Sequence, residues 1–245
     1  MSDGEADCPT PFVAFRDVFL PVTCPVCGVQ GAAPCPACAA GFRRAPSLPA
    51  PPHVDCCLAL LAYQDGGRDL IARLKYRNAR SSLPFLAAGL AALVAAEGLV
   101  ADVVTWAPTT AARRRARGFD QAEMLARAVA RRLGPGVACR RLLLRPPGAA
   151  QTGQPLDARR LGPAFHPARP SPPTVLLVDD VVTSGATVAA AARTLRAAGA
   201  TRVHVLAAAR TPRQPPPGVG IHSECVAVCG SVVESRSQSQ AKRPT

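Results

Sequence analysis

The chain has 245 residues, 48% of them hydrophobic, and it carries a formal net charge of +13. This length and apolar fraction suit one α/β core with a small appendage better than two full domains. Aromatic residues make up only 4% of the chain, so a base-stacking surface for single strands is poorly supplied. The charge favours anionic partners, although a GC-rich genome would also enrich arginine over lysine without any functional reason.

The first residues of the chain contain acids and lack a basic start followed by an apolar core. This pattern argues against a signal peptide and predicts a cytoplasmic protein. The most apolar segment, residues 83–96, is too short for a membrane span and is predicted to be a buried helix.

Two Cys-x-x-Cys pairs follow, formed by Cys24 with Cys27 and by Cys35 with Cys38. Each pair can present two thiolates to one tetrahedral ion, so the four cysteines predict a structural Zn²⁺ site. So short a segment has little apolar surface, and the metal would supply most of its folding free energy. Unbound or redox-active thiols are the alternative, but a redox pair would open a helix after a strand, and neither flank has that pattern.

Prolines divide the remainder of the chain. The sequence predicts a cysteine-rich zinc-ribbon module over residues 1–44, a proline-rich linker over 45–52, one domain over 53–212, and a disordered tail over 213–245. In the tail, His222, Cys225 and Cys229 could share an ion. An unliganded tail is the favoured interpretation, because these residues lie beyond a run of three prolines.

Strand and helix patterns alternate through the domain. Strands are predicted over residues 56–63, 102–106, 140–144, 174–178 and 202–208, and helices over 68–76, 83–97, 119–133 and 188–198. Residues 145–161 are predicted to be a polar loop. Such alternation indicates a parallel sheet with crossover helices, which binds ligands at the carboxyl ends of its strands.

The strand predicted over residues 174–178 is apolar throughout and leads directly to Asp179 and Asp180. Two carboxylates at the end of a strand can accept hydrogen bonds from a vicinal diol or hold a hydrated cation. Two adjacent acids inside a sheet would be costly to bury, so we expect both to follow the strand.

The next residues offer hydroxyls and a turn: Thr183, Ser184 and Thr187 are hydroxylic, and Gly185 and Ala186 are small. The helix predicted to follow points its free amide groups at this loop, which favours a bound phosphate. A plain strand, turn and helix is the alternative. Nucleotide binding of the Walker type is excluded, because no Gly-Lys-Ser/Thr is present.

Residues 174–188 resemble the phosphoribosyl pyrophosphate motif of type I phosphoribosyltransferases. That resemblance implies catalytic roles for Asp179 and Asp180 at the ribose hydroxyls. It also implies substrate binding by the loop, with the 5′-phosphate held by Thr183, Ser184, Gly185, Ala186 and Thr187. The acids would act on phosphoribosyl pyrophosphate in its Mg²⁺-bound form. The implied fold is the α/β, parallel-sheet type I phosphoribosyltransferase fold with a small N-terminal zinc-ribbon module.

Three further segments, residues 71–77, 106–122 and 151–154, are similar to the competence protein F family. The resemblance covers residues 63–210 and implies a zinc ribbon joined to a phosphoribosyltransferase domain, with an association with DNA uptake. The resemblance also implies that Lys75 and Arg117 bind the substrate. The sequence departs from the family where a further cysteine pair is often found, and where Asp120 replaces the usual Asn.

The acceptor is not named by the sequence. Purine salvage enzymes of the superfamily usually place an acid where Thr183 stands here, and Asp157 in the polar loop is the nearest unassigned carboxylate. A second class of function also stays open, that of a non-catalytic accessory factor for single-stranded DNA or DNA-uptake proteins. It would use the zinc module and an Arg-rich loop predicted over residues 113–117, although such runs are often only a solvated face.

Overall fold

Five parallel strands form the central sheet of the computed structural model, which describes residues 22–76, 80–146 and 162–212. The strands lie in the order β1, β7, β6, β2 and β3. Every pairing within this sheet is parallel. The bounds are β1 (Cys56–Ala62), β2 (Val103–Trp106), β3 (Ala138–Cys139), β6 (Thr174–Val182) and β7 (Arg202–Arg210).

Helices cover both faces of the sheet. The described helices are α1 (Pro36–Ala40), α2 (Asp65–Tyr76), α3 (Leu83–Ala96), α4 (Ala111–Arg117), α5 (Gln121–Leu133) and α6 (Ala186–Ala197), with a 3-10 turn over Arg80–Ser82. Buried side chains of α2, α3 and α5 form one core on one face, and those of α6 form a second core on the other. None of the described helices combines the length and the apolar character needed to cross a membrane.

The apolar run of β6 is explained by burial on both faces. Leu176 and Val178 point into the core beneath α5, whereas Val175 and Leu177 point into the core beneath α6. Successive residues of a strand face opposite sides, so a central strand covered by helices on both sides is apolar at every position. The α/β class, the parallel sheet and a four-cysteine cluster near the N-terminus are therefore confirmed.

The strand predicted over residues 140–144 forms differently. The sheet strand here is β3, which ends at Cys139, and a separate strand, β4 (Leu143–Leu144), pairs antiparallel with β5 (His166–Pro167). Leu142 and Leu143 are adjacent and both pack in the core beneath α6, whereas successive residues of one sheet strand would face opposite sides.

The chain divides into two units, Met1–Pro212 and Arg213–Thr245. The second unit lies outside the described residues, and with it the predictions made for His222, Cys225 and Cys229. The polar loop with Asp157 and residues 151–154 also lies outside them.

Candidate functional site

Asp179 and Asp180 lie within β6 and not after it, which corrects the expectation that the strand ends at residue 178. On one side β6 stays paired with β7, with Asp179 opposite Ala207. On the other side β2 ends at Trp106, opposite Val178. The acids therefore extend past the end of β2 while β7 supports the strand, and the cost of enclosing two carboxylates between strands is avoided.

The two carboxylates differ in exposure. Asp179 is 9% exposed, and its Oδ1 accepts a hydrogen bond from the backbone N–H of Asp180 at 2.8 Å. Asp180 is only half-buried. The pair thus offers one sheltered and one accessible carboxylate at the carboxyl edge of the sheet.

The hydroxyl-rich loop joins β6 to α6. Gly185 adopts a left-handed conformation with φ of +83° and caps α6, which begins at Ala186, two residues earlier than predicted. Thr183 and Ser184 are exposed, and the Ser184 Oγ accepts from the N–H of Ala186 at 3.4 Å. Asp179 and residues 181–188 line one pocket. The fold therefore joins an acid, three hydroxyls and a helix N-terminus, whose free amides and dipole favour an anion.

The arginine run of residues 113–117 forms the helix α4, where the sequence had suggested a loop. Thr110 caps its start by accepting from the N–H of Arg113 at 3.3 Å, and Gly118 ends it with φ of +78°. A Thr cap and a closing Gly were the signals for this helix in the sequence. Because α4 follows β2, it lies at the same edge of the sheet as the acids.

Arg117 is half-buried at the end of α4, and its Nη1 donates to the Oε1 of Gln121 at 3.1 Å. Arg113, Arg114 and Arg115 are exposed, and Arg114 lies 3.8 Å from a Glu123 carboxylate oxygen. Lys75 is in the last turn of α2, and the placement of its side chain lies outside what the structure describes.

Asp120 has a role that the sequence did not reveal. It is 5% exposed, and its Oδ2 accepts from the N–H of Thr109 at 2.9 Å. Its Oδ1 accepts from Ala122 and Glu123 at the start of α5. Burial raises the pKa of this carboxyl, although the three amides oppose the rise. Both oxygens are needed for this bridge, and Asn has only one acceptor oxygen.

Arg145 is a second residue that the sequence did not single out. It lies just past β4, half-buried, with its guanidinium 5.7 Å from the centre of the Phe165 ring. Burial lowers its pKa, as does Arg113, while Asp179 and Asp120 raise it. Arg145 is therefore a cation within electrostatic reach of the acids. The sequence offered little signal for it among so many arginines.

The four predicted metal ligands lie together. The Sγ atoms of Cys24, Cys27, Cys35 and Cys38 are all within 4.8 Å of one another, and those of Cys27 and Cys35 are 3.7 Å apart. A tetrahedral zinc site with thiolate ligands requires a sulfur to sulfur separation of about 3.8 Å. The four thiols therefore can hold a zinc ion without rearrangement of the backbone.

Electrostatics within the cluster also suit a cation. Burial raises the pKa of the Cys24 thiol, but hydrogen bonds from the backbone of Cys35, Cys27 and Val26 outweigh it and bring the value to about 6. Cys38 has a pKa of about 12, raised first by its hydrogen bond to Cys35 and then by burial. The cluster therefore favours a thiolate at Cys24 and disfavours one at Cys38, and a divalent ion bound by both would offset that difference.

Comparison with known proteins concerns the residues at the carboxyl edge of the sheet. Residues 121–226 match the family model of the phosphoribosyl transferase domain. That range includes Asp179, Asp180 and residues 183–187, but it leaves out Lys75, Arg117 and the cysteine cluster. A phosphoribosyltransferase-type domain is thus present.

One solved structure, that of an allosteric regulatory enzyme of purine biosynthesis, is similar to 53% of this chain at 24% sequence identity, with a TM-score of 0.38. The similarity covers 26% of that chain, so this protein matches only about a quarter of its length. No curated protein matches the sequence. The family model names the phosphoribosyl transferase domain and not the competence protein F family, so the finer resemblance stays a prediction.

Proposed function

We propose that this protein binds Mg²⁺-bound phosphoribosyl pyrophosphate at the carboxyl edge of its sheet and transfers the phosphoribosyl group to a nucleophilic acceptor. The observation that carries the proposal is the pocket lined by Asp179 and residues 181–188 at the start of α6. It combines the Asp179 carboxylate, an acceptor for a diol, with amide and hydroxyl donors for a phosphate. The same residues lie inside the segment that matches the phosphoribosyl transferase domain.

In this proposal each group of residues has a separate task. Asp179 and Asp180 accept hydrogen bonds from the ribose hydroxyls and hold the sugar against the strand end. Thr183, Ser184 and Thr187, with the first amides of α6, bind the 5′-phosphate. These contacts fix the sugar so that its C1′ carbon faces the acceptor, which lowers the entropic barrier to reaction.

Departure of pyrophosphate requires stabilisation of the negative charge that it carries. Arg117, Arg145 and Lys75 are the cations that we assign to this task, since α4 and β4 bring two of them to the carboxyl edge. Mg²⁺, when bound, would neutralise part of the pyrophosphate charge through oxygen coordination, and the two carboxylates suit its preference for oxygen donors. Zn²⁺ at the four cysteines has a structural task only.

A second candidate function rests on the exposed arginines of α4. Arg113, Arg114 and Arg115 all face solvent, which is how a basic helix would contact a nucleic acid backbone. In that function the protein is an accessory factor for single-stranded DNA in DNA uptake, as the competence protein F resemblance implies. In either function we assign it to the cytoplasm, because a cluster of reduced cysteines suits a reducing compartment.

Calorimetric titration of phosphoribosyl pyrophosphate with Mg²⁺ into the zinc-loaded protein tests the proposal. We expect binding by the natural chain and at least a hundredfold weaker binding by the Asp179→Asn, Asp180→Asn double variant, because two charge-assisted acceptors are lost. The exposed Asp69→Asn variant in α2 is the matched control and should bind normally.

Absence of binding heat in the natural chain would overturn the proposal. Salt-sensitive binding of a single-stranded oligonucleotide would then move the second function to first place. That binding should be lost in the variant with Arg113, Arg114 and Arg115 all changed to Gln, and it should survive in the double Asn variant.

A further inference from the structure

The proline-rich segment is bound tightly to the domain, and we refer to residues 43–54 as the strap. Its first residues run antiparallel to the edge strand β1, with Arg44 opposite Leu61. The Arg43 carbonyl accepts from the N–H of Ala62 at 2.9 Å, and the N–H of Ala45 donates to the Leu60 carbonyl at 3.3 Å. The first residues of the strap therefore pair through their backbone with the carboxyl end of β1.

Arg210 binds the backbone in the middle of the strap. It is the last residue of β7, 5% exposed, and lies opposite Val182, the last residue of β6. Its Nη1 donates to the Leu48 carbonyl at 3.1 Å, and its Nη2 donates to the Pro49 carbonyl at 2.8 Å. A buried guanidinium is costly without partners, so these two bonds keep Arg210 and the strap in register.

The next part of the strap touches the phosphate-binding loop directly. Pro51 is buried against Gly185: a Cβ atom on Gly185 would lie 2.8 Å from the Cγ of Pro51 and 3.1 Å from its Cβ. Gly185 is also the residue whose left-handed conformation starts α6. The proline ring therefore forms a wall that limits where the loop backbone can lie.

The end of the strap is fixed to the other end of the same helix. Arg196 in the last turn of α6 donates to the His53 carbonyl at 2.9 Å and lies 2.7 Å from the Asp55 carboxylate. The strap thus contacts the N-cap residue of α6, Gly185, and the last turn of that helix. Movement of the strap would have to displace the helix, the loop, or both.

The residue that joins the cysteine cluster to the strap is held against the domain. Phe42, four residues after Cys38, packs against Phe85 of α3 with ring centres 5.9 Å apart, and it also faces Gly66 of α2. The hydrogen bond from Ala62 to the Arg43 carbonyl follows immediately along the chain. One continuous series of contacts therefore joins the cluster to the loop.

We propose that Arg210 and Pro51 are positioning residues for the loop of residues 183–187, and that metal bound at the four cysteines tightens this loop through the strap. In this proposal neither residue contacts the ligand. The effect on ligand affinity rests on the proposed function, whereas the effect on the order of the loop does not.

Hydrogen exchange of the full-length, zinc-loaded protein tests the inference without any ligand. In the Arg210→Met variant we expect the amide of Ala189, which donates to the loop carbonyl of Gly185 at 2.9 Å, to exchange about tenfold faster, because two hydrogen bonds from a charged group are lost. The amide of Leu177 in the core of β6 is the internal reference and should change little. Arg202→Met, at the exposed start of β7, is the matched control and should leave the loop unchanged.

Chelation of zinc should have the same effect on the natural chain and little additional effect on Arg210→Met, because both changes act through one strap. The inference is overturned if neither change accelerates loop exchange relative to Leu177. If Arg210→Met fails to fold, Pro51→Gly decides, since it keeps both bonds of Arg210 and removes only the wall against Gly185. Unaltered loop exchange in Pro51→Gly would then overturn it.

Titration with ribose 5-phosphate tests whether the strap also affects ligand affinity. We expect its Kd to rise about tenfold in Arg210→Met and on chelation, and Arg210→Lys to recover part of the loss. If the natural chain does not bind ribose 5-phosphate or phosphoribosyl pyrophosphate, the proposed function fails while the exchange result still decides the inference. If the ligand binds equally well in all variants, the positioning role is wrong and the proposed function stands.

Discussion

The cysteine cluster and the carboxyl edge of the sheet are built in opposite ways. The four thiols come from one short segment, Cys24 to Cys38, with a single five-residue helix and few buried side chains. The edge gathers residues from β2, β4, β6 and the helices that follow them. The cluster can depend on a metal for its structure, whereas the edge depends on the sheet. Changes at the cluster should therefore alter folding, and changes at the edge should alter mainly ligand binding.

The largest expected effect is on the cluster. Cys24→Ser removes one of four thiolates, and we expect loss of stoichiometric zinc and about 4 kcal/mol of stability, or a melting midpoint lower by roughly 8–16 °C. Zinc analysis and thermal denaturation measure both. Cys56→Ser, outside the cluster on β1, is the matched control and should keep its zinc. Full zinc content in Cys24→Ser would remove the contrast between the two regions.

A glycine pair sharpens the comparison at the loop. Gly185→Ala and Gly118→Ala both place Ala in a left-handed conformation, but a Cβ meets Pro51 at residue 185 and open space at residue 118. We expect Gly118→Ala to cost about 1 kcal/mol and Gly185→Ala about 2–3 kcal/mol, with weakened ligand binding only at residue 185. Urea denaturation and calorimetry check this. Equal costs at the two positions would mean that Pro51 does not restrain the loop.

Asp120→Asn tests the connection between the end of β2 and α5. Asn keeps one acceptor but turns an amide group toward one of the N–H donors that Asp120 serves. We expect a stability loss of about 1–2 kcal/mol, near that of a lost helix cap, with ligand affinity reduced only slightly. Denaturation curves of the two proteins at one pH measure the difference. A variant as stable as the natural chain would show that one oxygen suffices.

The smallest effect is expected at Asp55, which follows the strap and forms an ion pair with Arg196 of α6. Burial raises the pKa of this carboxyl, but the N–H of Val203 and the Arg196 guanidinium together lower it by more than burial raises it. The net shift of the pKa is therefore downward. A lowered pKa stabilises the folded state above the unfolded value of 3.8, and that contribution is lost as the pH falls below it. We expect Asp55→Asn to cost about 1 kcal/mol at pH 7.

Stability curves of the natural chain and Asp55→Asn between pH 7 and pH 3 check this expectation. The difference between the two proteins should be constant near neutrality and should shrink once Asp55 becomes protonated. A difference that grows toward low pH would contradict the sign of the pKa shift.

Local chemistry in the sequence predicted the parts of the molecule that are local in the chain. The spacing of Cys24 to Cys38 and the run from Asp179 to Thr187 each lie in one stretch, and the structure places each stretch as one group. Arg145 was missed because its partners, Phe165 and Pro108, lie far away in the sequence. The Asp120 bonds that cap α5 are local, but its bond to Thr109 joins two separate elements, and the sequence does not show that both oxygens are used. The strand carrying Asp179 was predicted too short, because its support comes from β7, which the sequence of β6 does not reveal.

The pairing of residues 43–45 with β1 has a consequence for how the molecule behaves in concentrated solution. β1 is the outermost strand of the sheet, and an uncovered outermost strand offers its backbone groups to other chains. Here the antiparallel contact between Arg44 and Leu61 covers the backbone at the carboxyl end of β1 and places an arginine beside it. A chain shortened to start after residue 52 would expose the carboxyl end of β1, and we expect it to self-associate through these backbone groups more than the natural chain does.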